Sequence, residues 1–166
     1  MNVIRIVLLL IFSAWPIVGY ACSVIPGPID FRIFTEFDIV IEAKMVSYMT
    51  KPHPTRSYPG RRIGEFHFEV ANKYAGFDVP FKKLTAFWFE SNFGVPEKWD
   101  GPTDVIVGLT TEILPDGTAV VSTGFVRCGE PVIVDATYEN MKKVRAVLLE
   151  RAVQKQNYWK LTSPIR

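Results

Sequence analysis

The stretch "IGEFHFEVANKY", residues 63–74, alternates apolar and polar side chains with a period of two. Phe66, Phe68 and Val70 share one side of an extended chain, and Glu65, His67 and Glu69 share the other. A strand with one buried and one solvated face has this pattern, whereas a helix repeats its faces about every 3.6 residues. The segment therefore commits the chain to a β-sheet with a distinct inside and outside.

Further segments extend the sheet. "DIVIEAKMVSY", residues 38–48, is dense in β-branched residues and predicts a long strand. In "KLTAFWFES", residues 83–91, Leu84, Ala86 and Trp88 fall on one side and Phe87 and Phe89 on the other. "DVIVGLTTEIL" and "TAVVSTGFV" flank Pro115-Asp116-Gly117, and Asp-Gly between two β-branched runs is a hairpin signal. "FRIFTEF" predicts a short helical turn, and "VIPGPIDF" before it an irregular extended run. With three prolines and a glycine, "MTKPHPTRSYPGRR" predicts an exposed loop.

At the C-terminus the period changes. In "YENMKKVRAVLLERAVQ", Met141, Val144, Leu148 and Ala152 recur at helical spacing beside Val147, with most charges elsewhere around the wheel. Asp135 or Thr137 is placed to cap the start. The expected fold is mainly β with a C-terminal α-helix, and the strand pattern suits either a small closed barrel or a sandwich.

The N-terminus carries a processing signal. Arg5 is followed by an uncharged run from Ile6 to Ala21, shorter than the ~20 residues a spanning helix needs. Gly19 and Ala21 occupy the −3 and −1 positions of a cut before Cys22. This predicts a signal peptide over residues 1–21 and an exported single domain over 22–166, periplasmic or secreted; an uncleaved membrane anchor is the plainer alternative. Arg5 is the only charge before position 22, so the net charge falls from +2 to +1 on cleavage. Such a balance gives no reason to expect nucleic acid as a partner. With 48% hydrophobic and 22% charged residues, the chain has the composition of a folded domain and needs no metal to fold.

Cys22 and Cys128 are the only cysteines. In an oxidising compartment they are expected to pair as a disulfide, worth ~4–5 kcal/mol for a loop of this length in the chain-entropy model. A second fate is open to Cys22. "VGYAC" also passes as a lipobox, and acylation of the thiol and amine would anchor the chain to a membrane at the cell envelope, with a structural or assembly role, and leave Cys128 unpaired.

The opening Cys22-Ser23, the strand "DIVIEAKMVS" and the segment "FHFEVANKYAGF" together resemble the tissue inhibitors of metalloproteinases and other netrin-like domains. The likeness covers residues 22–48 and 63–77, with "GFVRCGE" a looser echo. It implies a five-stranded OB-like barrel with a packed helix. It also implies that the free amine and carbonyl of Cys22 would chelate the zinc of a target peptidase while Ser23 enters the specificity pocket. Val24 stands where that family has its second cysteine, so a Cys22–Cys128 bridge alone would hold the amine in place.

Other constellations carry less. Glu65, His67 and Glu69 are too widely spaced along one strand to hold a metal unaided, and a solvated outer face is expected. His53 reads as a loop residue. Ser122, Thr123 and Asp104 sit in no nucleophile motif, and neither GxSxG nor HExxH occurs. No enzyme activity, catalytic residue, metal or cofactor is expected. The loop "FGVPEKWDGP" places Trp99 between Pro96 and Pro102, an exposed-looking contact for a protein partner. The expected binding residues are thus Cys22, Ser23 and Trp99.

Overall fold

The computed structural model describes residues 29–53, 61–76, 82–89, 94–114, 116–125 and 129–162, the side chains of 157–162 excepted. Cys22, Ser23 and Cys128, and with them the proposed bridge, lie outside the described residues. A 3-10 helix at Phe31–Glu36 precedes β1 (Ile39–Pro52), β2 (Arg62–Ala75), β3 (Lys83–Trp88), β4 (Asp104–Ile113), β5 (Ala119–Thr123) and β6 (Ile133–Asp135). The helix α1 (Tyr138–Thr162) follows.

Five of these strands close on themselves. β1 pairs with β2, β2 with β3, β3 with β5, β5 with β4, and β4 returns to β1. All pairings are antiparallel except β3–β5. The expected mainly β fold with a C-terminal α-helix is present, as a ring of five strands packed against that helix. For the ring to close, the end strand β1 must pair with β4 as well as with β2. β1 does so through register shifts at Val40/Ile41, Glu42/Ala43 and Met45/Ser47, and such bulges coil a strand.

Alternation dictates the interior. Ile39, Ile41, Ala43 and Met45 of β1 point inward with Phe66 and Phe68 of β2, Ala86 and Trp88 of β3, and Val105, Val107 and Leu109 of β4. Phe66 lies opposite Ala86 and Gly64 opposite Trp88, so large side chains face small ones across the ladder. Phe66 and Phe68 are at most 1% exposed, and burying a side chain of that size is worth about 2–3 kcal/mol.

A second core lies outside the ring. Phe34 and Phe37 meet Val40, Ile106, Val132, Val134 and Val144, so the 3-10 helix and α1 together cover the outward face of β1, β4 and β6. The Phe37 ring lies on Gly108 and Gly124, where any Cβ would collide with it. Gly124 N–H donates to Gly108 O at 2.8 Å beneath the ring.

Several boundaries differ from the sequence expectation. β1 and β2 run on through Pro52 and from Arg62, where a loop was expected, because Pro52 is the last residue of its strand and gives up no interior ladder bond. Thr137 caps α1, accepting from Asn140 N–H at 3.2 Å. Of the expected apolar stripe, Val144 is buried and Met141 and Leu148 are partly buried, but Ala152 is exposed because the helix has by then passed the edge of the second core. The hairpin at Asp116-Gly117 forms as expected, with Gly117 at φ 84° and Leu114 N–H donating to Thr118 O at 2.9 Å.

Candidate functional site

The outward face of β1, β2 and β3 carries a connected polar network. Register places Ser47, His67 and Thr85 in one row across the three strands and Met49, Glu65 and Phe87 in the next. Glu65 was expected in solvent, yet only 6% of its side chain is exposed. Two partners account for that. Lys51 Nζ lies 2.5 Å from one carboxylate oxygen, and His67 Nε2 lies 2.8 Å from the other. A carboxylate that deep is tolerated when both oxygens accept charge-assisted or strong hydrogen bonds.

The network fixes the histidine tautomer. A carboxylate paired to an ammonium offers only acceptors, so the hydrogen of a neutral His67 ring sits on Nε2. Nδ1, 3.1 Å from Thr85 Oγ1, then accepts from the Thr85 hydroxyl. The oxygen of Thr85 keeps its own lone pairs for the surroundings.

Beside this chain of groups lies a groove of about 430 Å³, within the range of small-ligand sites. Val46, Ser47, His67, Glu69, Lys83 and Thr85 line it together with Phe68 and Leu84. The groove sits at the Met45/Ser47 bulge, which leaves Val46 unpaired and 57% exposed. Glu69 does not join the Glu65–His67 pair, and among the described residues no cluster of three His, Cys, Asp or Glu side chains is set to hold a metal ion.

The other sequence-predicted residues are placed as follows. Trp99 is half-buried, contrary to its exposed appearance in sequence: Nε1 donates to Pro102 O at 3.0 Å, and the ring packs edge-on against Phe66 at 5.2 Å. Two flanking prolines turn the loop back over the inner core. Tyr48 completes that cover, donating from its hydroxyl to Pro96 O at 2.8 Å, and burial pushes its phenol up to about 12. His53 follows β1 directly, its N–H on Arg61 O at 2.9 Å and its ring 5.9 Å from that of Phe89. Ser122 is buried and donates to Glu112 Oε1 at 2.6 Å, beside Thr110 at 2.9 Å.

Glu42 forms a further cluster near α1, accepting from Tyr74 at 2.6 Å and Asn72 at 2.9 Å. Burial, then the Glu42 hydrogen bond, raises the Tyr74 phenol above its usual range. Arg145 of α1 lies 5.1 Å from the Tyr74 ring centre, joining helix to sheet.

Sequence reasoning missed Lys51, Thr85, Ser47 and Lys83. The proline-rich context of Lys51 hid its place in a strand, and only the cross-strand register brings Thr85 to His67. Among the described residues no helix is long and apolar enough to cross a membrane. Comparison of the chain with protein-family models and with curated proteins matches none of them.

Proposed function

We propose that this chain is an exported, non-enzymatic protein-binding domain of netrin-like character, which meets its partner through the N-terminal segment at Cys22 and Ser23 and through the loop around Trp99. In its sharper form, the amine freed at Cys22 ligates the zinc of a peptidase. An amine and a carbonyl oxygen are both competent to occupy the open position of a catalytic zinc.

The observation that supports this reading is how soon after Cys22 the chain joins the folded body. Ile29, Phe31 and Ile33 pack against the second core, and Phe34 is fully buried within it. Six residues lie between Cys22 and Ile29, and the seven steps reach at most ~25 Å. So short a tether limits how far a terminus at Cys22 could extend from Ile29, which favours a wedge over a long membrane stalk.

The test is a panel of zinc endopeptidases assayed with the purified chain 22–166 and with the same chain prefixed by one alanine. The proposal expects inhibition by the first and its loss in the second. Equal inhibition by both would remove the amine mechanism, and no inhibition by either would remove the peptidase as partner.

A further inference from the structure

We propose that the groove at the bulge of β1 binds a carboxylate group, and that the proton on His67 controls the binding. This site lies apart from the N-terminal contact proposed above, and either can fail without the other.

The argument starts from which hydrogen-bonding groups are already spent. Glu65 has both oxygens engaged, by Lys51 and His67. Neutral His67 has both nitrogens engaged, Nε2 on Glu65 and Nδ1 on Thr85. Thr85 then points its hydrogen at the ring and shows only lone pairs to the groove. When the ring takes a second proton, Nδ1 becomes a donor, and it must donate to Thr85 Oγ1. The Thr85 hydroxyl hydrogen is thereby released to turn outward. One proton converts the floor of the groove from an acceptor into a donor.

Charge changes in the same direction. The groups along the outward rows around His67 are Lys44 and Lys51 of β1, Glu65 and Glu69 of β2, and Lys83 of β3. Three ammonium groups stand against two carboxylates, and protonation of the ring adds a fourth cation. Lys83 lines the groove itself, whereas Lys51 is committed to Glu65.

These features select the ligand class. The donors from Thr85 and Ser47 with the Lys83 ammonium suit an oxyanion. Glu69 in the groove wall opposes a dianion such as phosphate and leaves room for a single negative charge. Val46, exposed at the rim, offers an apolar contact for a short aliphatic stem. A carboxylate on such a stem occurs either as a free short-chain acid or as an aspartate or glutamate side chain of a partner protein.

The test is an NMR titration of the full exported chain with butyrate, with butyramide as its neutral isostere, and with a capped peptide carrying one glutamate. Each is run at about pH 5.5 and about pH 8, on either side of the range in which histidine changes charge. Butyrate and the peptide are expected to shift the Val46, Ser47 and Thr85 resonances and butyramide is not, with binding at least about threefold tighter at the lower pH. Tighter binding of the peptide assigns the site to an acidic side chain of a partner; binding of butyrate at least as tight assigns it to a free acid. Thr85→Val, which keeps the shape and removes the hydroxyl, is expected to weaken binding and flatten its pH dependence. His67→Gln is expected to abolish the pH dependence, and it decides the matter should the Thr85 variant not fold. Equal shifts with butyramide, no response at either pH, or a pH dependence that survives in His67→Gln would overturn the proposal.

Discussion

Glu65 and His67 occupy alternate positions on the outward face of β2, and their side chains meet at 2.8 Å over a carboxylate as buried as the core. Lys51 holds the other carboxylate oxygen from β1, so three residues on two strands share one charge pair. Removing Lys51 leaves Glu65 with a single partner in a place water barely reaches. Lys51→Ala is expected to cost about 1–2 kcal/mol, moderated by the exposure of the lysine itself. Adding Glu65→Leu to that variant is expected to restore part of the loss, because no uncompensated charge then remains. Urea denaturation of the three chains measures both effects.

Much of this fold is legible in the sequence, and the limits have physical causes. Alternation at Phe66 and Phe68, the Asp116-Gly117 turn and the spacing of Met141, Val144 and Leu148 each specify local geometry, and each element forms. The burial of Glu65 is not legible, because it depends on Lys51 and His67 reaching it through register, which no single segment encodes. The loop around Trp99 is exposed at Pro96, Glu97, Lys98 and Asp100, as its prolines suggest, but the half-burial of the Trp99 ring on Phe66 is a contact across the fold that the local sequence does not encode.

Phe37 and the two glycines beneath it give a prediction about packing. Gly124→Ala places a methyl group into the Phe37 ring and is expected to destabilise by about 2 kcal/mol or more. Phe37→Ala creates a cavity and is costly by itself. The double variant is expected to be less destabilised than the two changes summed, since the smaller side chain admits the methyl group. Thermal unfolding of the set tests this.

Alkali should act through Tyr48. Its phenol is raised from about 10 in the unfolded chain to about 12 in the fold. Between those values the unfolded chain has lost a proton that the folded one retains. Stability is therefore full below about pH 10 and falls as the pH rises toward 12. Tyr48→Phe is expected to lose about 1 kcal/mol near neutrality with the bond to Pro96, and to show a shallower decline in alkali. Phenolate absorbance and denaturation midpoints across that range provide the check.

Thr137 tests the start of α1. Its hydroxyl accepts from Asn140 N–H, and Thr137→Ala is expected to cost about 1 kcal/mol. Thr137→Asn keeps an acceptor at the cap and is expected to recover most of that loss in the same denaturation assay.

The proposed function requires that the chain be exported and cut before position 22, and the intact mass of the chain recovered from its native compartment reads this directly. The account predicts the mass of residues 22–166 less two hydrogens, with a free amine on Cys22 and its sulfur joined to Cys128. A diacylglyceryl addition to Cys22, or the uncut mass of residues 1–166, would contradict it.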